Sequence, residues 1–397
     1  WNLLASLLLS LACRPPAVAV PENNEQVRFR PNPEPTSELA QELSLRVPSA
    51  TWDEGLTRAC ELLIQQASQP SLRLTPAANA SALGQAGYPG HARFGKELNG
   101  GAFPEALAVE MVDYALSADE PVDLGLARRS FADGQTLWIG GIAPKAALLD
   151  PMPRRVELDA SVPVTVEVLG EHPEELGLVL YVAQPSGPVE AFELSDTVAH
   201  WLSSLHVPGE YRLEVVGNTE RDSSVLLLWT LLVDQDEPTL VPLGQPVTEA
   251  QNPMDAAESL YQELSVLRAR HGLPELQRYT PFEPLAREHS ALMANEGRVA
   301  HVLPGVTQGV AQRAQVSFRP RANHNEDVAA ALTWRDAHDL VELSPGHKAN
   351  LLCEDCTHVS IGVALEPVLD RQPRLFVTWE LLSFPSGVPV KKEPYDH

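Results

Sequence analysis

Two histidines, His301 and His347, stand where their type and placement could do chemistry, inside three short blocks that follow one another. The blocks are Gly297-Arg298-Val299-Ala300-His301, Asn323-His324-Asn325-Glu326-Asp327 and Ser344-Pro345-Gly346-His347-Lys348-Ala349-Asn350-Leu351-Leu352. His301 falls just beyond a predicted helix. His347 falls in the first turn of another, which Ser344 caps and Pro345 starts. Rigid elements can bring two such imidazoles together although they are distant in sequence. Neutral imidazoles ligate zinc well, and a carboxylate can complete the set or hold a water. The competing reading is a hydrogen-bonded cluster of histidines and a carboxylate that only fixes a cleft wall.

Other reactive residue types carry less. Cys353-Glu354-Asp355-Cys356 is a lone C-x-x-C followed by a strand. A zinc knuckle needs a second pair and thioredoxin chemistry needs a strand-to-helix context, so a local disulfide is the expectation. His289 lies near the apolar face of its helix and reads as a core or groove histidine. Ser290 beside it is a nucleophile in name only, because no Gly-x-Ser-x-Gly or His-Glu-x-x-His motif supports a hydrolase class.

The elements that must position these residues are legible. Asp255-Ala256-Ala257-Glu258 has capping-box spacing and opens a helix with Leu260, Leu264 and Leu267 inward, stopping at Gly272. Thr280-Pro281-Phe282-Glu283 opens the next, with Phe282, Leu285, Ala286, Leu292 and Met293 toward the core. A third begins at Thr333-Trp334-Arg335-Asp336, and its His338 and Asp339 are expected to face solvent. Two period-two strands follow, 358–365 and 375–382.

This segment resembles the CAP, or SCP, superfamily of secreted proteins (cysteine-rich secretory protein, antigen 5, pathogenesis-related 1). Its bacterial members carry an early helix-end His, a Gly-Glu-Asn-type motif and Ser-Pro-Gly-His-Arg-Ala-Asn. By that resemblance His301 matches the first His, Glu326 the motif's Glu and His347 the second His. Asn325-Glu326-Asp327 departs from Gly-Glu-Asn, and the family's second cleft carboxylate falls nearest to Glu342. The resemblance implies an α-β-α sandwich whose cleft is lined by two His and two acidic residues, holding zinc or another divalent ion in some members. Enzymatic activity is rarely established in the family. The implied function is therefore a non-catalytic module that binds a lipid-like small molecule, a peptide or an envelope protein and requires no cofactor. The alternative is a metal-dependent hydrolase of peptides or esters, with His301, His347 and Glu326 polarising a water.

Composition limits the partners. The chain has 397 residues, 44% of them hydrophobic, and 29 Lys and Arg against 53 Asp and Glu give a net charge of -24. That charge repels phosphate backbones and anionic lipid headgroups, so nucleic acid is excluded as a natural partner. Residues 3–12 form an apolar run too short to span a bilayer but suited to a signal peptide. The run ends at Ala12-Cys13, which resembles a bacterial lipobox with Ser10 in place of Leu. That implies lipidation at Cys13 and membrane contact through the anchor alone; an ordinary secretory signal is the alternative. Both expect export, to the envelope or the exterior. The start at Trp1, without Met or a basic n-region, reads as truncated.

The expected fold class is α+β multidomain: a small α/β N-terminal domain, an immunoglobulin-like β-sandwich and a C-terminal α-β-α sandwich. The expected boundaries are a signal at 1–13, a Pro-rich linker at 14–50, a small α+β domain at 51–152, the β-sandwich at 153–236, a linker at 237–254, the CAP domain at 255–385 and a tail at 386–397. In the first domain, Thr51-Trp52-Asp53-Glu54 caps a helix containing the free thiol Cys60, and a second helix covers 103–118. A hairpin then turns at Asp133-Gly134. Gly90 to Lys96 has P-loop spacing, but Glu97 stands where Ser or Thr would ligate magnesium, so it reads as a glycine-rich loop. This domain faintly repeats the helix-then-strand order of the last one and could be a degenerate relative without the histidines. Strands at 177–183, 189–194, 210–217 and 224–233 mark the sandwich, and Pro208 to Val215 resembles the late strand of immunoglobulin-like bacterial modules, where Tyr closes a corner.

Overall fold

A computed structural model describes residues 25–32, 41, 45–46, 50–102, 104–118, 120–169, 176–194, 199–219, 223–247, 251–303, 318–319, 324–368, 371–384 and 390–391. The apolar run at 3–12, Cys13 and the last residues of the tail lie outside them. The fold is mixed α/β with several sheets.

Gln26–Val27 (β1) and Pro31–Asn32 (β2) precede Thr51–Asp53 (β3), helix Glu54–Gln66 (α1), helix Pro76–Ala86 (α2), Arg93–Asn99 (β4), helix Glu105–Ser117 (α3), Val122–Ser130 (β5) and Thr136–Pro144 (β6). These strands make a sheet in the order β2-β3-β5-β6-β4, while β1 pairs with Met152–Pro153 instead. Leu56, Ala59, Cys60 and Leu63 recur at helical spacing and bury one face of α1. The cap is Asp53 rather than Thr51, since 51–53 are strand residues and Asp53 Oδ1 accepts from Leu56 N at 3.0 Å.

Three expectations are corrected here. The segment read as a loop at 90–96 becomes strand β4 from Arg93 onward, because its backbone pairs with β6 from Thr136 to Ile142. The presumed spacer is partly structured: β1 and β2 are strands, and Val27 is buried. The linker after the sandwich packs down as well, with Leu243 buried and Arg73 and Gly244 exchanging backbone hydrogen bonds of 2.7 and 2.8 Å. Helix α2 was not read from the sequence at all; its alanine-rich stretch carries almost no hydrophobic periodicity.

The next strands are Ala147–Leu149 (β7), Met152–Pro153 (β8), Arg155–Val156 (β9), Val162–Val164 (β10), Val166–Val168 (β11), Gly177–Ala183 (β12), Val189–Leu194 (β13), His200–Leu202 (β14), Gly209–Asn218 (β15) and Ser223–Val233 (β16). One five-stranded sheet, β13-β12-β15-β16-β9, packs against short two-stranded ladders, β10–β14 and β11–β7. Leu180, Val182, Tyr211, Leu213, Val215 and Leu231 alternate along the sheet and bury its inner face. Tyr211 does close a corner: its hydroxyl accepts from Val207 N at 3.1 Å.

Helix Pro253–Arg270 (α4), Gln277–Arg278 (β17), helix Glu283–Glu296 (α5), Phe318–Arg319 (β18), His324–Ala331 (β19), helix Trp334–Leu343 (α6), helix Pro345–Leu351 (α7), His358–Leu365 (β20), Leu375–Leu382 (β21) and Val390–Lys391 (β22) complete the chain. The sheet order is β17-β20-β21-β19. Leu260 and Leu264 of α4, Val341 of α6 and Leu351 of α7 pack on one face with Val377 and Trp379, whereas Phe282, just before α5, and Met293 of α5 pack on the other with Val328, Phe376 and Leu382. Asn252, not Asp255, caps α4, because Pro253 already begins the helix and the Asn252 side chain accepts from Met254 N and Asp255 N. His338 does not face solvent. It is buried on the inward side of α6.

The first and last sheets share strand order and direction. In each, a parallel strand precedes a helix (β3 and α1; β17 and α5), and a hairpin (β5–β6; β20–β21) lies between that strand and an antiparallel outer strand (β4; β19), with β2 added beyond β3 in the first sheet alone. Gly125 lies opposite Gly141, and Gly362 opposite Thr378, at equivalent places. Each marks where a helix crosses: a Cβ on Gly125 would lie 2.6 Å from the Leu56 backbone, and one on Gly362 2.1 Å from that of Ala286. Gly362→Ala is expected to cost about 3 kcal/mol through overpacking, and Gly100→Ala, which meets nothing within 4 Å, to change little. Urea unfolding of both variants checks this.

Candidate functional site

The C-cap of α5 is Gly297, left-handed at φ 64°, and it turns the chain so that His301 returns toward strand β19. There His301 Nδ1 lies 3.0 Å from Glu326 Oε1. The Glu326 side chain is 3% exposed and that of His301 38%, so a buried carboxylate orients an imidazole at the surface. His289 Nε2 sits 3.8 Å from the same carboxylate oxygen and 3.1 Å from Ala300 O. Glu380 of β21 is the cross-strand partner of Glu326 and pairs with His324 Nε2 at 2.7 Å. Two buried carboxylates thus stand side by side on the α5 face, each with a histidine.

Asp327 points to the opposite face, as the strand period requires. Its Oδ1 accepts from Asn350 Nδ2 at 2.8 Å. Burial pushes this carboxyl up to about 8; Asn350 and His301 oppose the rise, and Glu326 and Glu214 add to it. It is therefore protonated through most of the neutral range. His347 lies close to this group on α7, and Ser344 Oγ is 2.8 Å from its Nδ1. Burial, and after it the nearby His301, bring His347 down to about 4, leaving a neutral imidazole at pH 7.

The residue that sequence reasoning missed is Glu214. It comes from the outer face of the sandwich sheet and is buried against α7. Ser344 Oγ lies 2.8 and 3.0 Å from its two oxygens, and Gly346 N donates to Oε2 at 2.5 Å. Burial pushes Glu214 up to about 7 against those two hydrogen bonds. No signal marked it, because the alternation of β15 puts residue 214 where a strand normally shows a solvated side chain. Glu342 is not brought to this cleft. It lies 3.0 Å from Arg270 Nη2 and 3.2 Å from His338 Nε2. Burial raises its carboxyl, but His338, Arg270 and Lys348 outweigh that and bring it to about 2.

Cys353 and Cys356 form a disulfide with Cα atoms 5.4 Å apart. Cys60 is a buried free thiol whose pKa burial pushes up. Among the described residues, no group of three or more His, Cys, Asp and Glu side chains is arranged to hold a metal ion, His301, Glu326 and His347 included. Two cavities are lined without His301, Glu326 or His347. One of about 200 Å³ is lined by Met254, Tyr261, Arg278, Val359 and Ile361. Another of about 170 Å³ lies where the three bodies meet, among Leu83, Trp229, Leu340 and Ser344.

No family model matches the chain, and no curated protein matches it. Similar solved structures include an outer surface protein from Borrelia burgdorferi, at 20% identity and TM-score 0.30, covering 35% of this chain and 100% of that one. An extracellular protein containing a SCP domain from Bacillus anthracis is similar at 20% identity and TM-score 0.28, covering 56% and 78%. A cysteine-rich secretory protein from Staphylococcus aureus is similar at 13% identity and TM-score 0.25, covering 60% and 84%. These likenesses are partial and weak, and the functional reading rests on the chain's own residues.

The protonated Asp327 makes a pH prediction. Its folded-state pKa of about 8 lies above the ordinary 3.8, so the folded chain holds a proton that the unfolded chain has released. That contribution is whole below the unfolded value and is lost as pH rises through the folded one. Asp327→Asn keeps the shape without the titration. Its melting temperature relative to the parent is expected to rise progressively between about pH 4 and pH 8, and a flat difference across a pH series would contradict the assignment.

Proposed function

We propose that this chain is an exported, non-catalytic binding module of CAP type whose cleft at His301, Glu326 and His347 takes a peptide, envelope protein or lipid-like molecule by hydrogen bonding. The observation that carries this reading is the pairing of a half-exposed imidazole, oriented by a buried carboxylate, with a second imidazole that stays neutral at pH 7. Such a pair offers both donors and acceptors to a partner's carbonyl or hydroxyl group. Export is supported by the signal-like run at 3–12 and by the Cys353–Cys356 disulfide, a bond that persists in oxidising compartments. Cys13 is the proposed lipid anchor, with the sandwich between anchor and cleft.

The N-terminal body is proposed as a degenerate copy of the C-terminal one. Counting from the matched positions 94 and 328, 141 and 378, and 56 and 286 puts Ala92, Ala143 and Ala59 where the other copy has Glu326, Glu380 and His289. The shared topology and both crossing glycines support this, and the replacement of all three polar groups by alanine accounts for the missing histidines.

Zinc titration decides between this reading and the metal-dependent hydrolase. Calorimetry with the full chain, beside a variant carrying His301→Ala and His347→Ala, is expected to show no micromolar zinc binding that the variant abolishes. Micromolar binding lost in the variant would overturn the metal-free reading and turn attention to peptide and ester hydrolysis.

A further inference from the structure

Ser344 Oγ stands between two groups that both need its single proton or its lone pairs. On one side are both oxygens of Glu214, at 2.8 and 3.0 Å; on the other is His347 Nδ1, at 2.8 Å. Above about pH 7 Glu214 is an ionised carboxylate, which only accepts hydrogen bonds. The Ser344 hydroxyl therefore donates to Glu214, and its oxygen is left to accept from the imidazole. That contact is a hydrogen bond only if Nδ1 carries the proton. Because the ring is neutral, Nε2 then holds the lone pair.

We propose that Glu214, from the sandwich, is a positioning residue for the cleft: through Ser344 it fixes His347 as the Nδ1–H tautomer, with Nε2 as the acceptor. The cleft is thus a composite of two modules. The inference deepens the binding reading and rests on it for its consequence, since the tautomer decides whether His347 accepts from a partner's N–H or O–H or donates to its carbonyl. Two further contacts hold the relay in place. Gly346 N donates to Glu214 Oε2 at 2.5 Å. Tyr181, the cross-strand neighbour of Glu214, packs against Gly346, where an added Cβ would lie 3.7 Å from its ring. That same Cβ would come within 2.9 Å of Glu214 Oε2, so a side chain at 346 would push the carboxylate out of its place.

Glu214→Gln reverses the relay without removing its shape. The amide oxygen keeps the Gly346 N–H, and its NH₂ donates to Ser344 Oγ. The serine proton is then released to His347 Nδ1, and the ring proton moves to Nε2. The test is two-bond ¹H–¹⁵N correlation on the full chain with ¹⁵N-labelled histidine, read at about pH 8.5, where Glu214 is ionised, with His347→Ala assigning the signal. The expected result is the Nδ1–H pattern in the parent and the Nε2–H pattern in Glu214→Gln. An Nε2–H pattern in the parent, or an unchanged Nδ1–H pattern in the variant, overturns the proposal. The parent spectrum alone remains decisive should the variant fold poorly. The readout needs no ligand and no metal, so a failed relay and a failed binding reading give different results.

Discussion

Helix α7 is held at both ends by charged side chains from other elements, and the cleft depends on that clamp. With seven residues it is too short to be stable by itself. At its N-terminus Glu214 accepts from Ser344 Oγ and Gly346 N. At its C-terminus the buried Arg268 of α4 donates to Leu351 O at 2.8 Å and Cys353 O at 3.0 Å. An anion at the start and a cation at the end match the helix dipole, and both charges satisfy backbone or capping groups that the ends of so short a helix would leave bare. The disulfide closes the chain directly after the Arg268 contact. His347 is therefore placed by the sandwich and α4 together, and its own helix only carries it.

Buried carboxylates set the rest of the cleft. Removing a charge from water costs several kcal/mol unless it is paired, and each carboxylate here meets that cost differently. Glu326 and Glu380 are paired with histidines, whereas Asp327 stays protonated beside them. Three ionised groups so close together at the edge of one sheet would repel. A neutral Asp327 adds no third charge beside the Glu326–His301 pair.

Sequence legibility followed physical range. Elements with strong periodicity were readable: the hairpin at Asp133-Gly134, the strands of the sandwich, the Thr333 and Ser344 caps, and the period-two strands β20 and β21. These are dictated by neighbours a few residues apart. The His301–Glu326 contact was readable because both residues sit in local motifs. Glu214 was not, since what makes it a site residue is a contact across 130 positions of chain. Glu342 lay near the expected place and yet went to Arg270 and His338, because its rotation on α6 aims it at α4. Strand β4 was hidden behind glycine and charge, and α2 behind its alanines.

The N-terminal body shows what the topology is without the chemistry. It has the parallel strand, the crossing helix and the glycine beneath it, so the α-on-sheet packing needs none of the polar groups. What it contributes is support for the C-terminal body. Arg73 Nη1 reaches Asp336 Oδ2 at 2.5 Å, and Thr333 Oγ1 donates to that same oxygen at 2.7 Å at the N-terminus of α6. Helix α6 leads through Ser344 directly into α7. An ion pair from the first body thus fixes the start of the helix whose end carries the Ser344 hydroxyl, while the sandwich fixes that hydroxyl with Glu214. The placement of His347 therefore draws on all three bodies, since the C-terminal body takes one polar contact from each of the other two.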